Sequence, residues 1–273
     1  MVNNKKIYGL IGYPLEHSFS KAFFEKKFAN EKIKNVLYKN FPIENINLLS
    51  ALLNKEENLC GFNVTIPYKE AIIPFLHKIS TIANEVGAVN VVKIDRNNTK
   101  KPFLIGYNTD VLGFEKSFLE KISNTETQSS QSCTEKSALI LGTGGAAKAV
   151  SYVLKKLNIE YQFVSRHTKN NTLTYKMLNK KTIEDNLLLI NTTPLGMFPN
   201  ADTCPPIDYT AISENHFLFD LIYNPEETLF IKKGKECGAF VQNGYEMLCY
   251  QAEEAWKIWK SKKAGYLISQ TTC

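Results

Sequence analysis

Residues Gly142-Thr143-Gly144-Gly145-Ala146-Ala147 lie between a compact apolar run, Ala138–Leu141, and a stretch of helical periodicity, Ala146–Leu157. This is the G-x-G-x-x-A spacing of a turn that cradles a dinucleotide. Gly142 would make the tight turn, Gly144 would let the backbone approach a pyrophosphate, and Ala147 would let helix and sheet pack closely. N–H groups at the helix start would hold the phosphates. A purely structural glycine turn is the ordinary alternative. The next strand-like run, Tyr161–Val164, leads into Ser165-Arg166-His167-Thr168-Lys169. An acidic residue there would pair with ribose hydroxyls, whereas arginine accommodates a 2′-phosphate. The stretch has no carboxylate, and it holds one of only two arginines in the chain. Its planar fork suits phosphate better than lysine does, which favours NADP over NAD. A surface arginine without a role is the alternative.

Four further segments place polar residues at the ends of strand-like runs: Gly12 to Ser20 (GYPLEHSFS), Asn63 to Lys69 (NVTIPYK), Gly87-Ala88-Val89-Asn90, and Asn108-Thr109-Asp110. Ligands of open α/β sheets bind beyond the carboxyl ends of strands, so these segments could converge on one cleft. Singly, each has a plain explanation. Ser18 and Ser20 could be helix caps, Thr65 and Asn90 turn residues, and Lys69 and Asp110 surface charges.

The elements that must position these residues are legible in outline. Lys6–Ile11, Val36–Phe41, Gly61–Ile66, Val89–Ile94 and Phe103–Tyr107 read as strands, and Ser20–Asn30 as a helix. The polar run 96–100 makes the last two strands a hairpin. Residues 123–137 (SNTETQSSQSCTEKS) lack apolar periodicity and read as a flexible linker or mobile loop. Beyond it, Ala138–Leu141, Tyr161–Val164, Leu187–Ile190, Phe217–Ile222 and Phe240–Val241 alternate with crossovers, which predicts a parallel, doubly wound sheet. A final helix, Tyr245–Lys260, carries Trp256 and Trp259 at a spacing that turns them toward a core. The fold class is therefore α/β with two domains.

Bulk properties narrow the function further. The chain has 273 residues, room for two ordinary domains, and a formal net charge of +6 spread over dispersed lysines. Nucleic-acid surfaces more often carry clustered, arginine-containing stripes, so no nucleic-acid partner is expected. No apolar run reaches the roughly 20 residues that span a bilayer, and the N-terminus lacks a signal-peptide core. Six cysteines in no framework pattern imply reduced thiols and a cytoplasmic location. No metal site is expected.

Taken together and in order, the segments closely resemble the shikimate dehydrogenase family (the shikimate/quinate dehydrogenases) from Ile7 to about Gln251. The matching motifs are G-x-P-x-x-H-S-x-S, N-V-T-x-P-x-K, G-A-V-N, N-T-D-x-x-G-F and the glycine turn. After them come Asn191-Thr192-Thr193 with Gly196-Met197, Asp220 to Pro225 (DLIYNP), and Asn243 to Leu248 (NGYEML) leading to Gln251. The resemblance implies reversible NADPH-linked reduction of 3-dehydroshikimate to shikimate, in the route to aromatic compounds.

The resemblance also implies residue roles. Ser18, Ser20 and Tyr223 bind the substrate carboxylate. Thr65, Asn90, Asp110 and Gln251 hold the ring hydroxyls. Lys69 and Asp110, which also touch the substrate, form the catalytic pair. The cofactor falls to Gly142, Thr143, Gly144, Gly145, Ala146, Ser165, Arg166, His167, Thr192, Leu221 and Gly244. The residue types suit the reaction. Ketone reduction leaves an alkoxide-like oxygen that needs a proton, which Lys69 can donate while Asp110 orients its ammonium group.

The implied organisation is a substrate-binding catalytic domain (1–122), the linker (123–137), a Rossmann-like NADP-binding domain (138–244) and a C-terminal helical segment (245–273) returning to the catalytic domain. A monomer or a homodimer is expected. Ser165 and His167 flank Arg166 where the family commonly has Asn and Thr, and Thr81 stands where an acidic residue is frequent. Two other readings stay open, an NAD-using quinate/shikimate dehydrogenase and a non-catalytic NADP-binding regulator. Retention of both Lys69 and Asp110 argues against the regulator.

Overall fold

Strand β1 (Lys6–Gly12) is buried from Ile7 onward, with apolar side chains on both faces, as a strand inside a covered sheet must be. The structure, a computed structural model, describes residues 5–15, 18–96, 101–123, 137–168 and 172–261. It divides into two units, residues 1–109 with 252–273, and residues 110–251.

The first unit continues through α1 (Phe19–Asn30), β2 (Val36–Pro42), α2 (Leu49–Lys55), β3 (Leu59–Val64), α3 (Tyr68–Ala71), β4 (Lys78–Ile79), α4 (Thr81–Val86), β5 (Val91–Asp95) and β6 (Phe103–Tyr107). Its sheet has the order β2-β1-β3-β5-β6-β4. β5 runs antiparallel to both neighbours, while the other described pairings are parallel. The expected β5–β6 hairpin is therefore present, although residues 97–100 of its turn lie outside the described residues. Each sheet face carries its own core. Leu49 and Leu53 of α2 join Ile72, Phe62 and Val92 on one face.

On the other face Phe24 of α1 stacks on Tyr38 at 4.5 Å between ring centroids. The end of the last helix closes that core as expected: Trp259 stacks on Tyr8 at 4.9 Å, and its indole donates to the Val92 carbonyl at 3.0 Å. Gly61 makes this possible, because a side chain there would collide with the Trp259 ring.

The second unit comprises α5 (Asp110–Ser123), β7 (Ala138–Leu141), α6 (Gly145–Lys156), β8 (Tyr161–Ser165), β9 (Thr172–Thr174), α7 (Lys180–Glu184), β10 (Leu188–Asn191), β11 (Phe217–Asp220), α8 (Leu229–Glu236), β12 (Phe240–Gln242) and the start of α9 (Tyr245–Lys260). Its sheet has the order β12-β11-β10-β7-β8-β9, and every described pairing is parallel. This is the doubly wound order with its switch between β7 and β10, the place where such sheets bind ligands. β7, β10 and β11 are buried at every position, which explains their unbroken apolar runs.

The unit boundaries differ from those expected at 122 and 244. α5 belongs with the second sheet because its apolar stripe packs there. Phe114 meets Phe219 at 5.1 Å and Phe118 stacks on Phe217 at 5.9 Å. Burying each such ring is worth roughly 1.5–3 kcal/mol. At the other boundary, the backbone of Met247 and the side chain of Gln251 lie close against Gly113 of α5, so the first turns of α9 also belong here. Of the linker 123–137, residues 124–136 lie outside the described residues, as do residues 262–273 of the C-terminal segment.

Candidate active site

Strand register brings Gly12, Asn63 to Thr65, Asn90 and Asn108, each from one of the four polar segments, to one edge of the first sheet. Gly12 ends β1, and Ile11 pairs with Val64, the last residue of β3. Thr65 and Lys69 follow directly. Asn63 pairs with Val91, which in turn pairs with Tyr107 at the end of β6. Because β5 is antiparallel, Asn90 stands at its amino end, not at a carboxyl end as expected, yet it reaches the same edge.

Thr65 is fixed by its backbone, donating to the Ile11 carbonyl at 2.9 Å and accepting from Tyr68 at 2.9 Å. Half-buried Lys69 lies on short α3, and its carbonyl accepts from Val89 N at 2.7 Å. Ser18 takes the N-cap place of α1 but makes no side-chain cap bond, so its hydroxyl is not used by the helix. Glu16 and His17 of the same motif lie outside the described residues.

Buried Asn90 is held by its partner Thr109, which donates its backbone N–H to Asn90 Oδ1 at 2.7 Å and accepts from Asn90 Nδ2 at 3.0 Å. A second layer lies beneath. Ser20 is hydrogen-bonded to the Tyr38 phenol, whose pKa burial pushes up against that bond. Tyr38 donates to Asn63 Oδ1 at 2.8 Å, and Asn63 Nδ2 donates to the Asn90 carbonyl at 3.4 Å. Sequence reasoning gave no role to Tyr38 or Asn63. The signal was Asn63 itself, an amide at an otherwise apolar strand end.

In the second unit the parallel register places the ends of β7, β8, β10, β11 and β12 at one edge. Gly142 has φ +120°, a conformation that favours glycine, and a side chain there would collide with the Thr192 hydroxyl. Thr192 Oγ1 is held by the Leu141 carbonyl at 2.7 Å. Gly144 is the N-cap of α6 without a side-chain cap bond, and nothing lies within 4 Å of where its Cβ would stand. This exposed, uncapped helix start with room above it fits a pyrophosphate. Thr143, Gly145 and Ala146 surround it, half-buried.

Arg166 is exposed just past β8, in a turn tied by the Ser165 hydroxyl donating to the His167 carbonyl. Burial pushes the nearby Tyr175 phenol up to about 12, partly opposed by the Arg166 charge. Leu221 and Tyr223 are half-buried on the loop after β11, and a side chain on Gly244 would strike the Leu221 carbonyl. Asp110 is buried at the start of α5, and buried Gln251 donates to the Leu248 carbonyl at 3.0 Å. Ser18, Ser20, Thr65, Lys69 and Asn90 thus belong to the first unit, and Asp110, Tyr223, Gln251 and the cofactor residues to the second. Among the described residues no cluster of three or more His, Cys, Asp or Glu could hold a metal ion, and no helix is long and apolar enough to cross a membrane.

A chain with a glycine turn at the switch point of a doubly wound sheet in one unit, and a mixed sheet ending in hydroxyls, amides and a lysine in the other, is a two-domain α/β protein of the dinucleotide-binding class. The family model for the shikimate dehydrogenase substrate binding domain matches residues 10–92. A shikimate dehydrogenase (NADP(+)) of Methanococcus aeolicus is 37% identical over 96% of this chain and 95% of its own. Among solved structures, a shikimate dehydrogenase in complex with NADP+ is 31% identical, with TM-score 0.77 over 94% of this chain and 90% of that one. A quinate dehydrogenase of Corynebacterium glutamicum in complex with NAD is 25% identical, with TM-score 0.78 over 94% of each chain. The chain belongs to the shikimate dehydrogenase family.

Proposed function

We propose that the chain catalyses the reversible, NADPH-linked reduction of 3-dehydroshikimate to shikimate, on the route to aromatic compounds. The uncapped glycine turn at the switch point, in a chain of this family, carries the reading. NADPH held there supplies a hydride. Gly142, Thr143, Gly144, Gly145 and Ala146 take its pyrophosphate, Ser165, Arg166 and His167 its 2′-phosphate end, and Thr192, Leu221 and Gly244 its nicotinamide side. Ser18, Ser20 and Tyr223 bind the substrate carboxylate, and Thr65, Asn90, Asp110 and Gln251 bind its hydroxyls. Lys69 gives a proton to the oxygen of the former ketone, and Asp110 orients that ammonium group. The absence of a carboxylate around Arg166 supports NADP over NAD.

The test is turnover of shikimate by the purified full chain with NADP and with NAD, followed by reduced-nicotinamide absorbance, and repeated with quinate. NADP-linked oxidation of shikimate alone supports the reading. Equal rates with NAD or with quinate assign the quinate/shikimate activity instead, and binding without turnover assigns a regulator. The reading carries with it a cytoplasmic location, and size-exclusion chromatography decides between monomer and homodimer.

A further inference from the structure

Asp220, the last residue of β11, is fully buried and, among the described residues, has no cation as a hydrogen-bond partner. Its Oδ1 accepts from Asn191 Nδ2 and from Ile222 N, each at 3.0 Å, and its Oδ2 accepts from Thr228 Oγ1 at 2.6 Å. The three donors come from three places: Asn191 ends β10, Ile222 lies in the loop after β11, and Thr228 caps α8.

Two of the three donors are tied onward to a wall of the proposed cofactor site, while Thr228 Oγ1 also accepts from Ile231 N at 3.3 Å as the cap of α8. Asn191 Oδ1 accepts from Thr193 N at 3.1 Å and Thr193 Oγ1 at 2.7 Å, which shapes the loop holding Thr192. The Asn191 carbonyl accepts from Leu221 N at 2.9 Å, and the Ile222 carbonyl accepts from Gly244 N at 3.0 Å. Leu221 is thereby clamped from both sides, and Gly244 is pressed against its carbonyl. Burying a carboxyl without a counter-cation is costly, and an apolar residue would serve core stability better. A group kept at that cost, with two of its three donors leading to these loops, acts on geometry.

We propose that Asp220, gripped by Asn191 and Thr228, is a positioning residue that sets Thr192, Leu221 and Gly244 as the nicotinamide-side wall. The assignment rests on the reading of this edge as the NADPH site. Thr228→Val keeps the shape but leaves the Asp220 Oδ2 without its partner and Ile231 N without its cap, and Thr228→Ser keeps the hydroxyl for both. The first measurement is NADPH affinity of the full chain by nicotinamide fluorescence, which does not depend on turnover.

The expected result is a dissociation constant raised roughly tenfold in Thr228→Val, as for loss of one buried hydrogen bond, and restored in Thr228→Ser. In turnover, kcat falls similarly in Thr228→Val and is restored in Thr228→Ser. Thr228→Ala serves in place of valine if that variant does not fold. Parent-like NADPH affinity in the valine or alanine variant overturns the proposal. So does an equal loss in the serine variant, or a loss explained by a lowered melting midpoint. A parent chain that binds NADPH but does not turn over 3-dehydroshikimate sinks the functional reading while the affinity series still tests Asp220. A parent that does not bind NADPH overturns both.

Discussion

The same carboxyl makes stability depend on pH in a direction unusual for an acid. Desolvation raises the Asp220 pKa from 3.8 to about 7, outweighing the opposing bonds from Thr228, Ile222 and Asn191. Between those values the folded chain holds a proton that the unfolded chain has released. Stability is therefore full below the unfolded value and falls as pH rises toward 7, by ~1.4 kcal/mol per pH unit. Across the whole interval the loss is about 4 kcal/mol at most, since residual denatured structure and relaxation of the site reduce it.

Asp220→Asn removes the titration and keeps the shape. Its carbonyl can accept from Asn191 and Ile222, and its amide can donate to the Thr228 hydroxyl. The neighbouring Tyr209 adds no titration in this range, because burial and its neighbours Cys204 and Asp220 push its phenol up. Urea unfolding of parent and variant, from about pH 5 to about pH 8, should show the variant gaining on the parent by roughly 1 kcal/mol per unit up to neutrality and then levelling. Other ionisable groups cancel in that difference. Two curves that stay parallel across the range, at equal m-values, would refute the reasoning.

Three further outcomes are expected. Lys69→Met should lower kcat by about 10²–10⁴-fold while the substrate still binds appreciably, and near-parent turnover would remove Lys69 from the proton transfer. Arg166→Ala should weaken NADP by ~1.5–3 kcal/mol, one to two decades in KM, and leave NAD-linked rates nearly unchanged; equal loss with both cofactors would dismiss Arg166 as the selector. Phe114→Ala should cost about 3–5 kcal/mol, because the ring is fully buried against Phe118 and Phe219, and a urea midpoint within error of the parent would contradict that packing.

Much of this protein is written locally. Ala138–Leu141 and Phe103–Tyr107 have the same bounds in sequence and structure, because continuous apolar runs flanked by turn residues leave a buried strand few other places to begin or end. The glycine turn is equally local: Gly142 needs its positive φ, and Gly144 needs open space, whatever surrounds them. The ordered motifs likewise named the candidate site residues before any fold was known.

Contacts between distant segments decided the rest. α5 looks like the close of the first half, yet the aromatic side chains of Phe217 and Phe219, about a hundred positions away, draw it into the second unit. The β5–β6 hairpin was legible in its turn, but only pairing with β3 seats that hairpin in the sheet and carries Asn90 to the shared edge by the amino end of β5. Asp220 reads in sequence as one more residue of a motif. Only the stacking of β10 beside β11 and the cap of α8 surround it with donors and exclude water, and that burial raises its proton affinity against the opposing bonds.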